Sequence, residues 1–244
     1  MLSFQVRRVT YLPLLKNAIK RSTGMCCLRT WRWLSTACVL GMLVPDASAG
    51  NRTWEFDVLL NGKPIGFHLF KLADDGTRRV LSSDARFDAK LLLVFSYRYR
   101  HQAVEHWHGD CLGKLEARTD DDGKISRVEA DADAGRLLVT SNGSRQVYEG
   151  CVMSFAYWNP DMLTQTHLLN PQTGRYDPVH IVSMPDESIV VSGQSILTRH
   201  YRIEGPAHPI ELWYSADGDW LQLASTVTGG ARLAYRRREL NTAR

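Results

Sequence analysis

The chain has 244 residues, with 30 Lys and Arg against 26 Asp and Glu, a formal net charge of +4. Seven of those bases (positions 7, 8, 16, 20, 21, 29 and 32) and one acid, Asp46, precede Gly50, so the remainder carries 23 bases against 25 acids. That balance argues against a nucleic-acid partner, which needs a basic surface, and the 195 residues after Ala49 suffice for one domain with its own core.

Leu34–Val44 is an apolar run of 11 residues, preceded by Arg29 and Arg32 and followed by Pro45 and the small triplet Ala47-Ser48-Ala49. Basic, apolar and small-residue parts in that order make a secretory signal. A membrane-spanning helix needs about 20 apolar residues, so the run suits a signal better than a permanent span. An uncleaved anchor is the rival reading. Met25 opens a leader of ordinary length through Cys26, Cys27, Arg29, Trp31, Arg32 and Trp33, and is the expected true start. Arg7-Arg8 lacks a closely following apolar run, which speaks against a twin-arginine leader. The expected organisation is a leader over 1–49 and a single β domain over 50–244, in the periplasm or secreted.

Trp54, Phe56, Val58 and Leu60 alternate with Glu55, Asp57 and Leu59, the period of a half-buried strand. Asn61-Gly62 is a strong hairpin signal, and Ile65, Phe67 and Leu69 resume the alternation. Ala73-Asp74-Asp75-Gly76 makes the next turn. Arg78–Asp88 and Leu91–Trp107 read as long strands, the second with Leu91, Leu93, Phe95, Tyr97 and Tyr99 on one face. Leu112–Arg118 and Lys124–Ala130 flank Asp120-Asp121-Asp122-Gly123; Arg136–Thr140 and Arg145–Tyr148 flank Asn142-Gly143-Ser144. Val152–Leu169 breaks the pattern. It reads as a loop with a short helix at Pro160–His167, packed on a sheet face as a lid. Strands resume at Val179–Met184, Ser188–Val191, Ile196–Glu204, Ile210–Ser215, Trp220–Val227 and Arg232–Glu239. The fold class is therefore mainly β: a curved antiparallel meander, half-barrel or open barrel, with a short helix or lid. A closed barrel, a half-barrel with a lid and a sandwich all satisfy this pattern.

Cys111 and Cys151 are the two cysteines beyond the leader. In an oxidising compartment an even pair is a disulfide candidate; two separate buried side chains are the alternative. His101, His106 and His108 with Glu105 and Asp110 resemble a metal cluster, and His106 and His108 share a strand face. A regular strand puts His101 on the other face, so a solvated strand end is preferred, with His106 and His108 as weak metal candidates. Gly193-Gln194-Ser195 lacks the second glycine of a nucleophile elbow and precedes a strand. No phosphate loop or dinucleotide fingerprint is present. No catalytic residue, metal or cofactor is assigned.

The aromatic stock is the remaining signal. Tyr97, Tyr99, Phe155, Tyr157, Trp158 and Trp213 are candidates to line a concave apolar cavity, although core filling explains most aromatics. A carrier of this kind is expected to enclose roughly 300 Å³ or more.

Several blocks together resemble a known family. They are Gly62-Lys63-Pro64-Ile65-Gly66, Glu105-His106-Trp107 through Cys111-Leu112, Gly150–Pro160, Leu169–Gly174, and Leu212-Trp213-Tyr214 with Asp217-Gly218 and Trp220. They resemble the bacterial secreted family known as domain of unknown function 6134, and Phe155–Pro160 is the most specific block. The resemblance implies a signal peptide and a proteobacterial envelope setting, and brings no activity. The Gly62–Gly66 strand pair and the Trp213–Gly218 hairpin are also similar to other uncharacterised periplasmic families, which look related to half-barrel carriers of lipoprotein type.

Three readings follow. The first is a non-enzymatic carrier holding a lipid or other apolar small molecule on the concave face. The second is an envelope assembly partner that binds another protein through an edge strand. The third is a metal-assisted hydrolase built on the His101–His108 region.

Overall fold

Asn61 and Gly62 take positive φ, 49° and 78°, and turn β1 (Arg52–Leu60) back into β2 (Lys63–Asp74). Two consecutive left-handed residues match the twist of the strands they join. The computed structural model describes residues 50–91, 95–227 and 229–238. The leader 1–49, its cleavage site and the Met25 start lie outside the described residues, as does Leu93.

The meander continues through β3 (Arg79–Leu91), β4 (Phe95–His108), β5 (Cys111–Asp121), β6 (Lys124–Asp133), β7 (Arg136–Ser141) and β8 (Ser144–Glu149). Leu91 thus closes β3 rather than opening β4, and β2 runs five residues beyond Leu69. Two short strands follow, β9 (His167–Leu169) and β10 (Tyr176–Pro178), which pair only with each other. The chain then builds β11 (His180–Val191), β12 (Gln194–Glu204), β13 (Ile210–Tyr214), β14 (Trp220–Thr226) and β15 (Arg232–Arg237). The two strands expected at 179–184 and 188–191 are one. A register shift between Met184 and Glu187, at Pro185-Asp186, absorbs the proline that separated them in the sequence pattern.

These strands form one antiparallel sheet of thirteen, in the order β11-β12-β13-β14-β15-β1-β2-β3-β4-β5-β6-β7-β8. The first and last strands meet in its middle, with Phe56 opposite Arg237 and Leu60 opposite Leu233. The sheet is curved and not closed: β8 and β11 are its two edges. Alternation puts one apolar face inside. Trp54, Phe56, Phe87, Trp107, Leu115, Leu137, Ile203 and Trp220 are buried in one cluster on that face.

Residues 150–178 leave the sheet at the β8 edge and rejoin it at the β11 edge, covering the inner face on the way. Val152, Met153, Met162, Leu168 and Leu169 of this lid are all buried in the main core. Cys111 and Cys151 form a disulfide that pins its start, with Cα atoms 5.0 Å apart. Beside it Leu112 N donates to Val152 O at 2.9 Å. The expected helix at 160–167 is only a 3-10 turn, Pro160–Thr164. Asn159 caps it by accepting from Asp161 N, and Gln165 N closes it on Met162 O at 3.1 Å. His167–Leu169 is drawn into pairing with Tyr176–Pro178 instead, and Leu169 also bridges Ser154.

Gly66 on β2 lies opposite Phe87 on β3. A Cβ there would lie 1.9 Å from Arg86 O. Gly66→Ala is expected to destabilise the protein by about 3 kcal/mol or more, through clash and backbone strain, measured by urea unfolding. Reduction of the Cys111–Cys151 bond, which spans a sequence separation of 40, is expected to lower stability by about 4 kcal/mol in the chain-entropy model. Unfolding midpoints with and without reductant measure it, and unchanged midpoints would show that the bridge constrains little.

Candidate functional site

A partly open cavity of about 170 Å³ lies between the inner face of the sheet and the lid. Its floor is explained by register. Phe70, Ser83, Ala103 and Ala117 stand in one cross-strand row, and His68, Ala85, His101 and Thr119 in the next. Ser83 and Ala103, the small residues in the middle of the first row, leave room above β3 and β4. Phe70, Leu81, Leu223 and Leu233 supply apolar wall, and Phe155, Tyr157 and Trp158 of the lid form the roof. The rim carries the exposed residues Arg175, Gly205, Ala207 and Thr226.

Three polar side chains from the sheet converge on this space. His68 Nε2 is 2.7 Å from Ser83 Oγ, and its Nδ1 is 3.4 Å from Tyr235 Oη. His101 Nδ1 is 2.9 Å from Thr119 Oγ1. Glu105 accepts from Trp107 Nε1 at 3.1 Å and from Ser154 Oγ at 3.1 and 3.2 Å. That last contact ties the lid to β4. Burial holds His68 well below the ordinary histidine range and pushes His101 down to about 3. Both rings are neutral. Burial pushes Glu105 up to about 7, against the opposing hydrogen bonds of Ser154 and Trp107. A perturbed carboxyl in a cavity is a functional-site signal.

Trp158 is 4% exposed, packs edge-on to Trp107 with ring centroids 5.6 Å apart, and has the Arg79 guanidinium 5.0 Å from its ring. Its Nε1 has no hydrogen-bond partner. Arg79 pairs with Asp110 at 2.9 Å, and Asn159 Nδ2 donates to the same carboxylate at 3.1 Å. The Arg79 hydrogen bond is the main reason Asp110 sits below the usual carboxylate range.

Of the six candidate ligand residues, Phe155, Tyr157 and Trp158 line the cavity. The other three do not. Tyr99 is buried in the core, stacked on Phe87 at 5.1 Å. Tyr97 donates to Asp121. Trp213 faces the other side of β13, stacked on His200 at 4.5 Å and donating to Glu187. The reason is the strand period: Leu212 and Tyr214 take the inner positions and Trp213 the outer one. The cavity is also smaller than the 300 Å³ expected of a carrier. Met153, Met162, Leu168 and Leu169 fill space that a looser lid would leave open.

The histidines divide as the strand period requires. His101 lies inside with Glu105, and His106 and His108 lie exposed on the outer face. His108 lies across Gly113, whose Cβ would meet the ring at 2.7 Å. The solvated strand end describes His106 and His108 but not His101, which is 4% exposed. Among the described residues no group of three His, Cys, Asp or Glu is arranged to hold a metal ion, and no helix is long and apolar enough to cross a membrane. A larger hollow of about 540 Å³ lies on the outer face among Lys71, Asp84, Glu116, Arg118 and Glu129. Leu69 and Val104 share it with these charged side chains, and it is more open to solvent than the inner cavity.

The fold and its lidded cavity define an open, barrel-like antiparallel sheet protein. The chain belongs to the family described as Domain of unknown function (DUF6134), whose model matches residues 56–238. Among solved structures it is similar to the beta-barrel-like protein of domain of unknown function DUF1849 from Brucella abortus. That match has a TM-score of 0.59 at 9% identity, over 80% of this chain and 99% of that one. At that identity the likeness concerns the fold alone. No curated protein matches the chain.

The titrations of Glu105 and His101 oppose each other. Between about 4.5 and 7 the folded Glu105 keeps a proton that the unfolded chain has lost, so its contribution to stability falls as pH rises through that window. His101 stays neutral when folded, while the unfolded chain gains a proton below about 6.5, so stability falls as pH drops from there toward 3. Glu105→Gln is therefore expected to gain stability relative to the native sequence as pH rises from about 4.5 to 7, by up to about 3 kcal/mol. Urea unfolding at several pH values checks this. A difference that does not change with pH would mean that Glu105 ionises normally.

Proposed function

We propose that the protein is an exported, non-enzymatic binding module that seats a small apolar or amphipathic molecule, or one end of a larger one, under the 150–178 lid. The observation that carries this reading is the cavity itself: aromatic and aliphatic walls with a few converging polar groups, the usual make-up of a ligand site. At about 170 Å³ it compares with an engineered cavity of about 150 Å³ that takes benzene. A whole lipid is too large, which narrows the expectation drawn from sequence. Export is supported by the leader pattern and by the Cys111–Cys151 bridge, which suits an oxidising compartment.

A second reading, an envelope partner docked on a sheet edge, draws on β11. Val190 and Leu197 stand on one face of the β11–β12 hairpin, 71% and 64% exposed. Large exposed apolar side chains beside an unpaired edge suit strand addition.

Ala103 lines the cavity floor. Ala103→Leu is expected to fill the hollow, leave the far-ultraviolet circular dichroism unchanged and abolish binding of small aromatic probes, followed by tryptophan fluorescence because Trp158 lines the same space. Native mass spectrometry of gently purified protein should show a bound small molecule in the native sequence and none in Ala103→Leu. Ligand-free native protein carrying a stoichiometric protein instead would favour the edge-strand reading.

A further inference from the structure

Glu105 lines the cavity from β4 and is 5% exposed. Both of its hydrogen-bond donors, Ser154 and Trp107, are neutral. Among the described residues no basic side chain forms an ion pair with it. The neighbouring cations are engaged elsewhere: Arg79 with Asp110, and Arg175 at the rim with Asp177, each at 2.9 Å. His68 and His101 face the same space as neutral rings. Tyr157 and Tyr235 are held as phenols by burial, and His208 stands at the rim, partly exposed.

A carboxylate taken out of water without a counter-charge is unfavourable by several kcal/mol. A ligand that brings the missing charge removes that penalty. The roof above it is Phe155, Tyr157 and Trp158, and aromatic rings attract organic cations. We propose that the cavity is built for a small organic cation, a protonated amine on a short apolar body, with Glu105 as its counter-ion. This rests on the cavity being a ligand site, as argued above. An anionic ligand would meet the like charge of Glu105, and a neutral one would leave the carboxylate unpaired. The pH dependence follows: amine binding tightens as pH rises through about 7, where Glu105 ionises.

Benzylamine and its neutral counterpart benzyl alcohol test this by calorimetric titration at about pH 6 and pH 8. At pH 8 the native protein is expected to bind benzylamine at least ~10-fold more tightly than benzyl alcohol, a difference of about 1.4 kcal/mol. The preference should shrink at pH 6. In Glu105→Gln it should vanish while benzyl alcohol still binds, which also shows that the variant keeps its cavity. Equal affinities in the native protein, or a preference that survives Glu105→Gln, would overturn the amine proposal and leave the binding module standing. Failure of both probes to bind the native protein would remove both. The pH dependence of the native protein decides the matter even if the variant does not fold.

Discussion

An open sheet with one apolar face must be covered, and in this protein the cover is a single chain segment. Thirteen strands curl without closing, so neither edge can satisfy the other. Residues 150–178 span from the β8 edge to the β11 edge and bury Met153, Met162, Leu168 and Leu169 against the inner face. The remaining structure depends on that segment staying in place. The disulfide and the Leu112 N to Val152 O bond hold its start, backbone bonds between Leu169 and both Met153 and Phe155 brace it internally, and Ser126 and Ser141 on β6 and β7 donate to Gln172 O and Thr173 O at 3.0 and 2.7 Å. Tyr214 on the other wing donates to Tyr157 O at 2.8 Å. The lid is thus fastened to both halves of the sheet.

The seam where the termini meet is fastened in a different way. Arg237 is buried, and its guanidinium donates to Asp219 and to the carbonyl of Trp220, both at 2.8 Å. Asp219 also receives Arg52 and Trp54 Nε1, at 2.7 and 2.9 Å. One carboxylate therefore gathers the beginning of β1, the end of β15 and the turn before β14. Arg237 Nε has no partner of its own, but the charge itself is answered by a carboxylate and several hydrogen bonds, which is the condition for burying it. Glu105 does not meet that condition. It is as deeply placed but answered only by neutral donors, so it stands apart from the structural ion pairs.

Most of the architecture was legible because strand period and turn chemistry are local. Asn61-Gly62 and Asn142-Gly143 turn the chain where the sequence requires it, and the meander follows from that. The lid was visible as a break in alternation, and its fastening as a cysteine pair. Its conformation was not, because Pro160 and Asn159 start a helix equally well as a 3-10 turn, and only the pairing of His167–Leu169 with Tyr176–Pro178 decides between them. Trp213 was misplaced for a related reason: its aromatic bulk suggested the interior, but its parity with Leu212 and Tyr214 put it outside. Parity did separate His101 from His106 and His108. Applied to Glu105 as well, the same parity would have set His101 and Glu105 on the apolar side of β4, between Tyr99 and Trp107, where a solvated strand end was expected instead. His68, Ser83 and Tyr235 were not legible as one site, since they converge only through the pairing of β15 with β1 and of β2 with β3.

The hollow itself bears on whether this arrangement is incidental. Left empty and lined only by apolar groups, about 170 Å³ would cost on the order of 4 kcal/mol. A core this rich in Leu, Trp and Phe has side chains large enough to close such a gap, yet Ser83 and Ala103 stand at its floor. A larger apolar residue at Ala103 would fill the gap without disturbing the strand pattern, whereas Ser83 is held by its hydrogen bond to His68. The polar groups are placed against packing in the same way. His101 and Glu105 occupy inner positions of β4 that alternate with apolar core residues, and each is supported by a hydrogen-bond partner, Thr119 or Ser154. Space kept open beneath a fastened lid, with supported polar groups facing it, is what a binding site requires and what a core built for stability alone avoids.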